Sequence, residues 1–337
     1  MRNAFYNRLL LSAAVAALSL GSTQVMASGG ADTQWATVDN HGFLGIDLMV
    51  QGGYSFGSSD LTYGQFYDYT APGGANYGFD VDTGDGFNGK AGVDARFEGG
   101  WHFGLIYSGI RTSEKANSGT FDNSNVGFSW PVNNVLGNSA TSYNEISVKT
   151  DVHVNVVDLT IGRDVGLGGN TLVVTSGLRY GSIEQITKTD LWCSAFKCGT
   201  RSLENSDQLK STYTGYGPIL GASYSMPIST NGLSAFGSVL GSILYGEQKT
   251  SRWDSGSATT TRNNDKHFAY TADAEAGISY KLPSHPMTLS MGYQVTYMDR
   301  VRDTTNGTGY TGTESYGSSK DDILYHGPFA RLVISLP

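Results

Sequence analysis

Residues 267–282 read His-Phe-Ala-Tyr-Thr-Ala-Asp-Ala-Glu-Ala-Gly-Ile-Ser-Tyr-Lys-Leu, an alternation almost without fault. Phe268, Tyr270, Ala272, Ala274, Ala276, Ile278, Tyr280 and Leu282 fall on one face of an extended chain. His267, Thr271, Asp273, Glu275, Ser279 and Lys281 fall on the other. Side chains of a β-strand alternate between faces with a period of two, so the segment is a strand with one apolar and one wet face. Tyrosines sit toward the ends of the apolar face, and two acids sit on the wet one. That combination fits a strand of a membrane barrel, with lipid outside and water or polar packing inside.

The same period recurs in nine further stretches: Phe43–Phe56, Tyr77–Phe97, Trp101–Arg111, Tyr143–Val165, Asn170–Glu184, Thr212–Met226, Leu233–Gln248, Met287–Val301 and Ile323–Leu336. Within Tyr143–Val165 the alternation slips. Val148, Val152, Val154 and Val156 are in phase, opposite Lys149, Asp151, His153 and Asn155, whereas Val157, Leu159 and Ile161 continue one residue out of step. A β-bulge supplies one such extra residue. Leu233–Gln248 carries Leu233, Phe236, Leu240 and Leu244 at helical spacing, but Gly232, Gly237, Gly241 and Gly246 argue against a helix. Gly217-Pro218 and Gly327-Pro328 lie inside strands and are expected to mark bulges or bends, because proline removes a ladder donor.

The connections set the topology. Short turns follow the even strands, and the long connections 57–75, 114–142, 187–207, 249–263 and 303–318 follow the odd ones. Outer-membrane barrels have short periplasmic turns and long external loops. The fold class is therefore all-β: a transmembrane antiparallel up-and-down barrel of about ten strands, twelve being the alternative count. Phe97, Trp101, Phe103, Tyr224 and Tyr280 lie near the turns, and Tyr54, Phe56, Tyr107, Tyr180, Phe268 and Tyr297 near the loops, which makes two aromatic girdles. A secreted β-sandwich also alternates, but it does not call for the regular short and long rhythm.

The first 27 residues have the form of a secretory signal. Arg2 and Arg8 precede the apolar run Leu9–Leu20, and Val25-Met26-Ala27 offers a cleavage site. Residues 28–42 then form a periplasmic N-terminal segment and 43–337 the barrel. The signal removes two of 22 basic residues and none of the 30 acids, leaving a net charge of −10, which argues against a nucleic-acid partner. The mean hydropathy of −0.24 looks soluble, but a barrel masks its membrane signal by pairing each apolar residue with a polar one. Export to an oxidising compartment makes a disulfide between Cys193 and Cys198 the expected state. No ligand cluster accompanies the pair, so neither a metal nor another cofactor is expected.

The wet faces collect Asp47, Lys90, Asp94, Arg96, Lys149, Asp151, Arg179, Asp273, Glu275, Lys281, Arg300 and Arg331 as candidate pore-lining groups. Mixed charges across a lumen either act on passing ions or pair with one another and fill it. Eight strands leave room only for side chains, so ten leave little more. The acidity of the chain favours cations weakly.

Several segments, in order, resemble the major outer membrane protein family of Legionella and its relatives. They are Thr175–Ile183 (TSGLRYGSI), Gly215–Gly221 (GYGPILG), Gly232–Gly246 (GLSAFGSVLGSILYG), Asp273–Tyr280 (DAEAGISY), Leu289–Tyr293 (LSMGY) and Gly327-Pro328-Phe329. Asp85–Tyr107 fits more loosely. The resemblance implies a pore-forming barrel exposed on the surface of a Gram-negative cell, embedded in outer-membrane lipid and lipopolysaccharide and passing small hydrophilic solutes or ions. The Leu336-Pro337 ending departs from the terminal aromatic common in such barrels.

Two other functions compete. The long loops suit a surface adhesin that binds host or phage ligands without an open pore. Asp80 and Asp82, with Asp265 and His267, resemble the paired acids and the Asp/His pair of omptin-family outer-membrane proteases, where an Asp orients a His that activates water. No other omptin-like sequence accompanies these four residues, and the expectation is a protein that is not an enzyme.

Overall fold

The computed structural model describes residues 42–58, 62–68, 75–80, 83–120, 126–129, 145–167, 170–193, 200–254, 259–306 and 317–337. The expected signal sequence 1–27, the segment 28–41 and Cys198 lie outside them, as does the side chain of Cys193, so the expected disulfide does too.

The described residues hold thirteen strands: β1 (Phe43–Ser58), β2 (Thr62–Asp68), β3 (Ala75–Asp80), β4 (Asp85–Phe97), β5 (Trp101–Thr120), β6 (Val126–Ser129), β7 (Glu145–Leu167), β8 (Asn170–Cys193), β9 (Ser202–Pro227), β10 (Leu233–Asp254), β11 (Thr259–Lys281), β12 (Met287–Asn306) and β13 (Gly317–Leu336). Ten of them close an antiparallel barrel in the order β1-β13-β12-β11-β10-β9-β8-β7-β5-β4, with β4 returning to β1. The remaining three form a separate small sheet, β3-β2-β6, drawn from the first two long connections. Tyr77–Phe97, expected as one strand, is therefore two: Tyr77 and Phe79 belong to β3, and β4 starts at Asp85. Gly84 between them has φ +77°, which glycine reaches at no steric cost. The short turns are tight for the same reason; Gly99 and Gly100 (φ +75° and +76°) turn β4 into β5, and Gly232 (φ +87°) starts β10.

The strands run well past the expected ends. β8 continues to Cys193, nine residues beyond Glu184, roughly 30 Å of chain at ~3.3 Å per residue. The expected loop 249–263 is mostly strand, with β10 reaching Asp254 and β11 starting at Thr259. Tyr54, Tyr107, Tyr180, Tyr216, Tyr245 and Phe268 all project outward and are exposed, forming a girdle that divides the wall in two.

On the short-turn side of this girdle Leu105, Leu159, Leu178, Leu220, Ile278 and Leu289 point outward and are exposed, as a lipid-facing wall requires. Beyond it the polarity reverses. Val148, Val152, Val154 and Val156 of β7 point inward and are buried, while Lys149, Asp151, His153 and Asn155 point outward. The β7–β8 register runs without a shift from Glu145↔Trp192 to Leu167↔Asn170. The slip at Val156-Val157 is thus not a bulge; the backbone keeps its period and the surroundings change.

The prolines also leave the register intact. Pairing of β9 with β10 stops at Tyr245↔Tyr216 and resumes at Ser242↔Ile219 without an inserted residue. β13 does the same against β1 between Phe56↔His326 and Gly53↔Phe329. Pro218 and Pro328 each remove rungs rather than add a bulge. The preceding glycines allow the facing strand to close in, since a Cβ on Gly217 or Gly327 would lie 1.8 or 1.9 Å from the carbonyl oxygen of Ile243 or Tyr54. β10 is a strand throughout, and its Phe236, Leu240 and Leu244 share the inward face.

Candidate functional site

The inward faces of the membrane half meet in a charged web. On β8, Arg179 makes a two-pronged bond to Asp158 of β7 (Nε 2.7 Å and Nη2 2.8 Å). Its Nη1 crosses the lumen to Asp273 Oδ2 (2.7 Å) and Thr271 Oγ1 (2.6 Å) on β11. Thr296 donates to the other oxygen of Asp273 at 2.8 Å. Two residues along β11, Glu275 accepts from Lys90 of β4 at 2.5 Å and from Arg331 of β13. Arg331 also donates to Gln51 (2.7 Å), and Gln51 to Gln294 (2.7 Å). The guanidinium of Arg331 stands over the rings of Phe329 (5.0 Å) and Phe236 (5.6 Å). Three acids, Asp158, Asp273 and Glu275, thus meet three basic groups, Lys90, Arg179 and Arg331. Buried charges persist where they are paired and hydrogen-bonded in this way.

Above the web lies an apolar layer, in which Ile110, Val152, Val154, Val156, Ile183, Tyr213, Leu244, Ala269, Met298, Val301, Ile323 and Tyr325 form one buried cluster inside the barrel. The phenol of Tyr213 donates to the carbonyl of Leu244 at 3.0 Å, and that of Tyr325 lies 3.3 Å from Thr112 Oγ1, so both phenols of the layer have partners. Below this layer, in the membrane half, is a cavity of about 460 Å³. Leu244, Ile183, Val154 and Met298 roof it. Its walls carry five carboxylates (Asp47, Asp94, Asp158, Asp273, Glu275) against Lys90, Arg179, Arg331 and the imidazole of His102, together with a neutral stretch of Ala222, Ser223, Ser238 and Val239 from β9 and β10. Near the short turns, Asp47 faces Arg96 (3.3 Å), and His102 bridges Asp94 (Nδ1, 2.9 Å) and Asp164 (Nε2, 3.3 Å).

Of the expected pore-lining residues, Asp47, Lys90, Asp94, Arg96, Arg179, Asp273, Glu275 and Arg331 do point inward. Lys149 and Asp151 do not: they pair with each other (2.8 Å) on the outer face, because their part of β7 stands above the girdle with water outside. Arg300 also turns outward. It adopts φ +61° where the β12–β13 register shifts, between Met298 and Arg302, and its guanidinium lies 5.9 Å from the outward ring of Tyr270. Lys281 sits exposed beside the short turn after β11. Sequence reasoning missed Asp158 and His102. Asp158 was visible in principle, as the acid between outward Val157 and Leu159; His102 had no signal beyond its parity between Trp101 and Phe103.

His267 of the suspected protease pair is buried. Its Nε2 donates to the carbonyl of Arg300 at 2.8 Å, and Nδ1 lies 3.6 Å from Asp265. A general base needs a ring nitrogen facing water, and here the nitrogen not aimed at Asp265 is held by the backbone. The side chains of Asp80 and Asp82 lie outside the described residues.

A closed ten-stranded antiparallel barrel with an apolar outer band, aromatic girdles and polar inward groups defines an outer-membrane β-barrel protein. The family model described as Legionella pneumophila major outer membrane protein precursor matches residues 57–335, and the chain belongs to that family. Among solved structures, the outer membrane protease OmpT from Escherichia coli is similar in fold at 12% identity, covering 89% of this chain and 100% of its own, with a TM-score of 0.52. A major outer membrane protein from Thermus thermophilus matches at 13% identity over 85% of this chain and 99% of its own, with a TM-score of 0.33. No curated protein sequence matches the chain.

Proposed function

We propose that the protein is a pore-forming protein of the outer membrane, closed in this conformation, that passes small ions with a weak preference for cations. The observation that carries this reading is the cavity of about 460 Å³ inside the membrane half, lined by more acids than bases. An excess of carboxylates lowers the energy of a cation there relative to an anion. The apolar layer above it is a hydrophobic constriction of the kind that gates by excluding water. The charged web beneath consists of exchangeable ion pairs rather than a covalent or backbone plug. Opening requires Leu244, Tyr213 and their neighbours to separate while the strand ladder stays intact.

The depth of that layer favours a second reading, a surface-binding barrel without conductance: Val152, Leu244, Ala269 and Ile323 are fully buried. Planar-bilayer recording separates the two. The pore reading expects small current steps from the pure wild-type protein, a reversal potential on the cation side in a salt gradient, and larger steps from Leu244→Ser. Silence from the wild type with steps only from Leu244→Ser makes the layer a permanent plug and leaves the surface reading standing.

A further inference from the structure

Six neighbouring strands each place one lysine on the outer face above the girdle: Lys115 (β5), Lys149 (β7), Lys188 (β8), Lys210 (β9), Lys249 (β10) and Lys266 (β11). Register joins them into a stripe. Lys115 is directly opposite Lys149, and Lys149 directly opposite Lys188. Ile186, two residues from Lys188, pairs with Lys210; Thr212, two from Lys210, pairs with Lys249; and Glu247, two from Lys249, pairs with Lys266. Each of these last lysines is therefore the diagonal neighbour of the one before.

Such a row is unfavourable by itself, since like charges directly opposite each other destabilise a sheet. Internal acids relieve it only in part. Asp151 bonds Lys149 (2.8 Å), Glu184 bonds Lys210 (2.6 Å) and Glu247 bonds Lys249 (3.2 Å). Among the described residues no carboxylate lies within ion-pair distance of Lys115 or Lys188. The stripe is basic on a chain whose formal net charge is −8.

We propose that this stripe binds the phosphate groups of the phosphorylated glycolipid of the outer leaflet. Three observations select that ligand. The lysines stand on the outside of the wall, away from the lumen. They lie at the long-connection end, which is the external end when short turns are periplasmic. On the same strands and the same face, the aromatic and apolar band lies below them: Phe268 is two residues from Lys266, Tyr245 four from Lys249, Tyr216 six from Lys210, and Tyr180 and Tyr107 eight from Lys188 and Lys115. A molecule that carries acyl chains and phosphates together spans both surfaces at once. Lysine serves here as a flexible point charge, and neighbouring ammonium groups ~5 Å apart share one phosphate without a fixed fork.

Binding of purified lipid A to the full-length barrel in neutral detergent, read by native mass spectrometry, tests this. The wild type is expected to bind lipid A at least tenfold more tightly than its dephosphorylated form. The triple variant K115Q/K149Q/K188Q is expected to lose that preference, while K115R/K149R/K188R keeps it and K281Q, at the opposite end of the barrel, matches the wild type. All variants are checked for the heat-modifiable mobility of a folded barrel; a glutamine variant that misfolds is replaced by the single variant K188Q, expected to weaken binding severalfold. Equal binding of the two lipids by the wild type, or an unchanged preference in a folded glutamine variant, overturns the proposal. Displacement of lipid A by inorganic phosphate at equal concentration also overturns it, in favour of a free-anion site.

Discussion

Below the outer girdle the barrel wall is apolar outside and polar inside; just above it the wall is polar outside and apolar inside, before Gln185, Thr187, Ser211, Gln248 and Arg302 return buried polar groups to the interior. Strand β7 shows both orders on one unbroken backbone, with Leu159 and Val157 facing lipid and Val156, Val154 and Val152 facing the core. Parity alone therefore does not say which face is the lumen. Each face takes its character from the medium on its own side, and the medium outside changes from lipid to water near Tyr180. The two halves are also held together differently. In the upper half, burial of apolar area from water drives packing as in a soluble protein. In the lower half the outer face sits in lipid tails as apolar as itself, so the inner ion pairs and hydrogen bonds carry the specificity.

Removing the hub of the lower half should have the largest effect. Glu275→Gln leaves Lys90 and Arg331 facing a neutral amide in a buried site, and breaking such a pair costs about 3–5 kcal/mol. Urea unfolding of the folded barrel in lipid vesicles measures the loss. In bilayers the same variant is expected to move the reversal potential toward anions, because the cavity loses one of its five carboxylates. An unchanged unfolding midpoint would show that the web contributes nothing to holding the lower half.

The next test sets the same substitution against the two media. Leu244→Ala opens a cavity in the upper core and is expected to cost about 2–5 kcal/mol. Leu178→Ala on the lipid face, where tails refill the space, is expected to cost about 0.5 kcal/mol, in line with membrane transfer scales. Equal losses would mean that the two halves do not differ in what holds them, and the contrast drawn from burial would fail.

The same contrast explains what was legible in the sequence. Every stretch fully inside the membrane half, such as Phe268–Lys281 or Met287–Tyr297, has the expected faces, because lipid on one side fixes the parity. The ten-strand count and the short and long rhythm follow from those stretches. Errors cluster at and beyond the girdle. Lys149 and Asp151 read as lumen groups because a reversal of parity and an inserted residue leave the same trace, two adjacent valines. Counting places Arg300 inward, but the positive φ and the register shift at β12–β13 rotate it out, and no local residue such as glycine marks that spot. The partners of Asp273 and Glu275 are not readable either. Arg179 and Lys90 reach them across the lumen from distant strands, and which chords a closed barrel brings together depends on its stagger. The Glu275–Arg331 pairing is one of the options that charge alone allows; the structure selects it and adds Lys90.

The smallest expected effect belongs to the Lys149–Asp151 pair, the outer-face counterpart of Glu275. Partial burial pushes the Asp151 carboxyl up, but hydrogen bonds from Lys149 and Ser113 outweigh it and hold the group below its ordinary value of 3.8. A carboxylate whose folded value is depressed stabilises the fold above its unfolded value and loses that contribution as pH falls through the folded one. Water screens this pair, so Asp151→Asn is expected to cost about 0.5 kcal/mol or less at neutral pH. The difference between wild type and variant should be constant down to pH near 4 and shrink toward zero at lower pH, measured by urea unfolding across that range. Added salt should shrink it as well, whereas the Glu275→Gln loss should hardly respond to salt, because the web is shielded from the solution. A salt-insensitive Asp151 effect as large as that of Glu275 would place the pair in a dry environment and erase the boundary at the girdle.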